Sequence, residues 1–282
     1  QMKKNDIKGF YNFIQENQSR FDPLVSAIQY NYNVDINVYN VKSAYGVTRA
    51  NPSTVPDSLD STGSSFSMFM QTSSWDVFSE MIDNEALLSE QYDVVAGHWP
   101  ENYNEVVLVI GKNNGINVLS LYTLGILDQS KLADQMAAIA KGETYERENA
   151  TYTFDEIVCS GEGDSEYWSF NLVINSDYFK DNGGGTYTDM RDDDKYVENL
   201  AKAGEEIKIV GIIRPNENSV AGSISGAVAY TTALTEYVIG KVSSSAVIAA
   251  QKNNPDVDIF SGKAFKSANK LSDAEMAAAF IS

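Results

Sequence analysis

The sequence predicts an α+β protein, and three observations lead there. Some stretches alternate apolar and polar residues with a period of two. Others space their apolar residues three and four apart. The two kinds follow one another without the strict strand–helix alternation of a doubly wound sheet. At 282 residues, 43% of them hydrophobic and 11% aromatic, the chain can bury a core without covalent cross-links and is not a disordered sequence.

Ile7, Phe10, Tyr11 and Ile14 predict a helix over 7–16. Val34, Ile36 and Val38 alternate with Asp35 and Asn37, the pattern of a half-buried strand. Residues 50–65 are rich in Pro, Gly, Ser, Thr and Asp and read as a loop, and Phe66, Met68 and Met70 alternate as a second strand. Ser73 followed by Asp76 resembles a helix start, with Trp75, Phe78 and Ile82 as the apolar stripe. Two short strands, Tyr92–Ala96 and Glu105–Ile110, flank the turn Gly97-His98-Trp99-Pro100. Residues 116–141 read as helix broken near Gly125.

The middle of the chain, 142–200, is strand- and turn-rich. Trp168, Phe170, Leu172 and Ile174 alternate, while Gly183-Gly184-Gly185 and Asp192-Asp193-Asp194 mark exposed turns. Glu205–Ile213 is a strand ended by Arg214-Pro215, and 216–229 is small and Gly/Ser-rich. One long helix is expected over 231–253, a short strand at Ile259-Phe260, and a capping box at Ser272-Asp273-Ala274-Glu275 opens a last helix.

Charge and rare residues narrow the function. Lys and Arg number 21 and Asp and Glu 39, a net −18, which argues against nucleic acid and against docking through a polybasic patch. A single cysteine, Cys159, rules out an internal disulfide and a Cys-rich zinc site, and a single histidine, His98, rules out a multi-histidine metal centre. No apolar run approaches the ~18 residues a membrane span needs. The N-terminus has no hydrophobic stretch of a signal peptide, and the C-terminus stops inside a helical pattern, so the chain reads as a soluble piece of something longer.

His98 lies in a turn with no local partner to orient it, which favours a structural role. Cys159 has no CxxC, basic neighbour or helix start to activate it. Asp189, Asp192, Asp193 and Asp194 do not follow calcium-loop spacing and read as a solvated turn. Gly161-Glu162-Gly163 and Gly183-Gly184-Gly185 are not phosphate loops, and the Ser-x-x-Lys pairings of so Ser-rich a chain have no supporting motif. The sequons at Asn17 and Asn149 matter only in a eukaryotic secretory setting. No catalytic, cofactor-binding or metal-binding residue is therefore assigned.

Three segments carry a resemblance. Tyr92-Asp93-Val94-Val95-Ala96-Gly97-His98-Trp99-Pro100, followed by Asn104-Glu105-Val106-Val107-Leu108, is similar to the "G-R-x-P … N-E-V-V-L" turn of extracellular domains in Gram-positive ABC transporter permeases. Gly204-Glu205-Glu206-Ile207-Lys208-Ile209-Val210-Gly211-Ile212-Ile213-Arg214-Pro215 resembles the same family's "G-x-x-L-K-I-V-G-I-I-R-P" strand. Residues 229–239, opening Ala229-Tyr230-Thr231-Thr232, resemble its "Y-T-S-x-L-T-E-Y" helix start. The family is the FtsX-like permeases with a MacB-like periplasmic core domain. The matches cover about 90–240 in the family's order, and His98 stands where arginine is usual.

The resemblance implies a mixed α/β porter-like part made of 1–90 and 216–282, with a strand-rich sabre-like part, 91–215, inserted between them. It implies a non-catalytic extracellular domain that couples cytoplasmic ATP hydrolysis to extracellular movement, for export or sensing of a peptide, lipid or lipoprotein. The implied partners are transmembrane helices of the same chain, a cytoplasmic ABC ATPase reached through them, and a second permease subunit; no cofactor is implied. Both termini would then lie at one end of the molecule. The alternative is an extracellular ligand-binding protein, for which the 16 tyrosines would supply a recognition surface. A carboxylate-dependent hydrolase would need two close carboxylates in a deep cleft.

Overall fold

The computed structural model describes residues 6–53, 76–132, 138, 141, 150–161, 167–217, 219 and 222–265. Its first helices are α1 (Ile7–Glu16) and α2 (Gln18–Phe21), followed by strands β1 (Asn37–Asn40), β2 (Thr48–Asn51) and β3 (Phe78–Glu80). Next come α3 (Glu85–Gln91), β4 (Tyr92–Gly97), β5 (Glu105–Val109), α4 (Val118–Thr123), α5 (Phe154–Ile157) and β6 (Ser169–Val173). The chain continues through β7 (Phe179–Asp181), β8 (Tyr187–Asp189), α6 (Asp194–Ala203), β9 (Glu205–Pro215), β10 (Val228–Tyr230), α7 (Thr232–Ser243) and α8 (Ala246–Asn253), with β11 (Val257–Asp258) and β12 (Lys263–Ala264) last.

Eight strands form one mixed sheet in the order β2-β1-β6-β9-β5-β10-β3, with β4 also on β9. β9 organises it. Its first residues, Glu205–Lys208, pair with β6, and Gly211–Pro215 pair with β4 further along the same edge. The opposite edge takes β5 in parallel. The two strands flanking the 97–100 turn are therefore joined through β9 and not as a hairpin. The sheet runs without interruption across residues 90 and 215. It takes β1–β3 from 1–90, β4, β5, β6 and β9 from 91–215, and β10 from 216–282.

Both faces are covered, which explains why β5 and β9 are nearly continuous apolar runs. Val106 and Leu108 face a core shared with Phe170, Ile209 and, from α7, Leu234 and Val238. Val107 points the other way, against Leu88 of α3, Ala229 and Ile213. α6 covers the β1–β6 end of that second face, where Ala201 meets Tyr39 and Val173. β9 changes parity midway: Ile207 and Ile209 face the first core, and so does Ile212, because the register with β5 slips at Val210. Such a bulge moves one extra residue across the pleat.

Several expectations change. Phe78 is in β3, not in a helix, and the helix of this region is α3, capped by Asn84; Ser73, Trp75 and the Phe66–Met70 strand lie outside the described residues. The strand expected over 34–38 begins at Asn37 and is buried on both faces, because Asn37 accepts from Arg49 (2.6 Å) instead of facing water. The expected 231–253 helix is two: Ser244 ends α7 and the Ser245 side chain caps α8. The Ser272 capping box and both chain ends lie outside the described residues. The middle holds a ten-residue helix, α6, that alternation does not announce.

Candidate functional site

The turn at residues 97–100 separates two clefts. Gly97 has φ +68°, a left-handed conformation that favours glycine, and ends β4 where the chain leaves the sheet. On one side lies a cleft of about 530 Å³ with an apolar wall of Met81, Leu88 and Trp99. Asp83, Glu85 and Glu101 line the same cleft, and none of the three forms an ion pair with a described residue. The second cleft, about 460 Å³, is lined by Glu105, Asp155, Cys159 and Lys208. His98 lines both.

The turn is held by its own polar atoms. His98 Nδ1 lies 2.7 Å from the Trp99 carbonyl, so Nδ1 carries the hydrogen and, in the neutral ring, Nε2 is left as acceptor. The Glu105 carboxylate accepts from the Glu101 and Asn102 amides and the Asn102 side chain at 2.8, 3.0 and 2.9 Å. Burial works against its charge, but those three donors and the nearby His98 outweigh it and hold its pKa below the usual value. Asn84 fixes the far wall: its Oδ1 accepts from the Leu87 amide (2.9 Å), and its Nδ2 donates to the Ser26 carbonyl (2.6 Å).

A second group of residues ties the turn to β9 and α7. Tyr103, just before β5, and Tyr237, on α7, both donate their phenol hydroxyls to Glu205 at the start of β9. Their rings stack with centroids 3.9 Å apart. The bond to Glu205 and then burial push the Tyr103 phenol well up. Next to it, Tyr167 donates to Glu206 (3.0 Å), and Lys42 sits 3.6 Å from that carboxylate and 4.6 Å from the Tyr167 ring centre.

Cys159 shares a cleft with His98, a pairing not foreseen in the sequence, but its thiol is oriented to the Gly161 carbonyl at 3.7 Å. Among the described residues, no hydroxyl or thiol is hydrogen-bonded to an imidazole, and no group of three His, Cys, Asp or Glu is placed to hold a metal ion. The acidic run is divided: Asp189 pairs with Arg191, whose guanidinium holds its carboxyl below the usual range, while Asp193 caps α6 by accepting from the Tyr196 amide (3.0 Å). Glu205 and Tyr103 went unnoticed in the sequence; Glu205 is the first residue of an apolar strand, and only the fold brings the two phenols to it.

No described helix is long and apolar enough to cross a membrane. No family model, curated protein or solved structure matches the chain.

Proposed function

We propose that this chain is a non-catalytic extracellular domain of an FtsX-like ABC transporter permease, with a fold of the MacB-like periplasmic core type. One observation carries the reading. The three segments that bear the resemblance, distant in sequence, are direct neighbours. β4 and β5 both pair with β9, β10 pairs with β5, and Glu205 of β9 receives Tyr237 of the third segment and Tyr103, which lies between the two halves of the first. A motif set kept for a shared architecture is expected at such a junction. The domain would transmit movement to and from membrane helices of the same chain, which would link it to a cytoplasmic ABC ATPase and a second permease subunit.

The acid-lined cleft beside Trp99 favours a second reading, an extracellular ligand-binding protein. Expression from the complete reading frame separates the two. A permease domain remains with the membrane pellet after alkaline carbonate extraction, whereas a free-standing binding protein is released.

A further inference from the structure

A third cleft, of about 340 Å³, opens where β3, β10 and the start of α7 meet the segment before β1. Glu80 is the one charged residue among its described lining residues, and it forms no ion pair with a described cation. Its Oε1 accepts from Thr232 (2.9 Å) and its Oε2 from Thr235 (2.6 Å), and Thr235 is only 2% exposed. A carboxylate has about four acceptor sites, so about two remain open on a side chain whose orientation is already fixed. Around it stand uncharged hydrogen-bonding groups, among them Gln29, Asn31 and Ser225, and the aromatic rings of Tyr32 and Tyr230. Tyr32 is 50% exposed.

We propose that this cleft binds a neutral, hydroxyl-rich ligand, a short saccharide. Vicinal hydroxyls can donate to the open acceptor sites of an oriented carboxylate while accepting from amides. The apolar face of a sugar ring suits a half-exposed tyrosine. A cation would find a single carboxylate in the described lining, since Asp76, whose charge also reaches Tyr230, stands outside it. The volume falls at the small end of the ~300–1,000 Å³ typical of ligand sites, which suits about one or two sugar rings. Burial, and then the nearby Glu80 charge, raise the Tyr230 pKa to about 12, so its phenol stays a neutral donor across the physiological range. The site goes beyond the permease reading and stands without it.

Saturation-transfer NMR with maltotriose, cellotriose and chitotriose tests the proposal, with spermidine as the cationic probe. At least one trisaccharide should receive saturation. Ser225→Trp, which fills the cleft from an exposed position, should weaken that binding by about tenfold or more. Glu80→Gln should weaken it as well. No transfer to any of the three sugars, sugar binding that survives Ser225→Trp, or binding of spermidine alone would overturn it.

Discussion

Gly97 and Gly211 face each other across β4 and β9, closely enough that neither position has room for a β-carbon. A methyl on Gly97 would lie 2.0 Å from the Val210 carbonyl oxygen, and one on Gly211 would lie 2.2 Å from that of His98. The pair sits where β9 passes from β6 to β4 along one edge, beside irregularities in both ladders. Here the chain leaves the sheet to form the turn between the two clefts. The contact is therefore the structural reason for a glycine in each of two separate motifs.

Gly211→Ala should destabilise the domain by about 2–3 kcal/mol, since overpacking against backbone cannot be relieved by a rotamer change. Gly97→Ala should cost more, because it adds a left-handed φ to the clash. Gly240→Ala, inside α7 with nothing within 4 Å of the new methyl, should stabilise by about 0.5–1 kcal/mol. Urea melts of the three variants check the signs. A neutral Gly211→Ala would refute the close approach.

Glu80 serves the first turn of α7, whose N-cap Thr231 makes no side-chain cap bond. Glu80→Gln should lower stability by about 1–2 kcal/mol, from two weakened charge-assisted bonds and a lost favourable charge near the helix start. The denaturation midpoint should fall while its slope stays constant.

Several phenols should ionise late. Burial and the Tyr39 hydroxyl raise Tyr178, the Glu205 bond raises Tyr103, burial and then Cys159 and Glu206 raise Tyr167, and Tyr230 reaches about 12. A folded pKa above the unfolded 10.0 means the native state holds the proton more tightly. The associated stability is whole below about pH 10 and declines as pH rises towards the folded values. Absorbance at 295 nm should resolve a late-titrating class among the 16 tyrosines, and stability should be lower at pH 11 than at pH 9. A single class titrating near the ordinary value would contradict this.

Asn84→Ala removes both the α3 cap and the bond to the Ser26 carbonyl. It should cost about 1–2 kcal/mol. Proteolysis of the 22–35 segment should accelerate more than global unfolding does, and Asn84→Asp, which keeps only the cap, should restore part of the loss.

The central strands were legible because their burial is written into composition: Val106–Leu108 and Ile207–Ile213 admit few alternatives. Partnership was not. That β4 and β5 reach each other through β9, or that one continuous sheet takes strands from both sides of residues 90 and 215, depends on pairings across more than a hundred residues. Phe78 misled because one aromatic fits a helical stripe and an edge strand equally well. α6 was hidden by its start: Asp193 reads as part of a solvated run until Val197, Leu200 and Ala201 are seen to form one face. The clefts were legible only as a turn. Glu80 lies about 150 residues before Thr232 and Thr235 in sequence and meets them because β3 runs parallel to β10.

Co-purification tests the permease reading most directly. An affinity tag inserted at Gly183–Gly185, an exposed turn with open space around all three glycines, should leave the fold intact. The tagged protein, expressed from its complete reading frame beside its chromosomal neighbours and drawn from membranes in mild detergent, should bring down an ABC ATPase with vanadate-sensitive ATP hydrolysis. Recovery of the tagged protein alone, or with a complex that hydrolyses no ATP, would contradict the account.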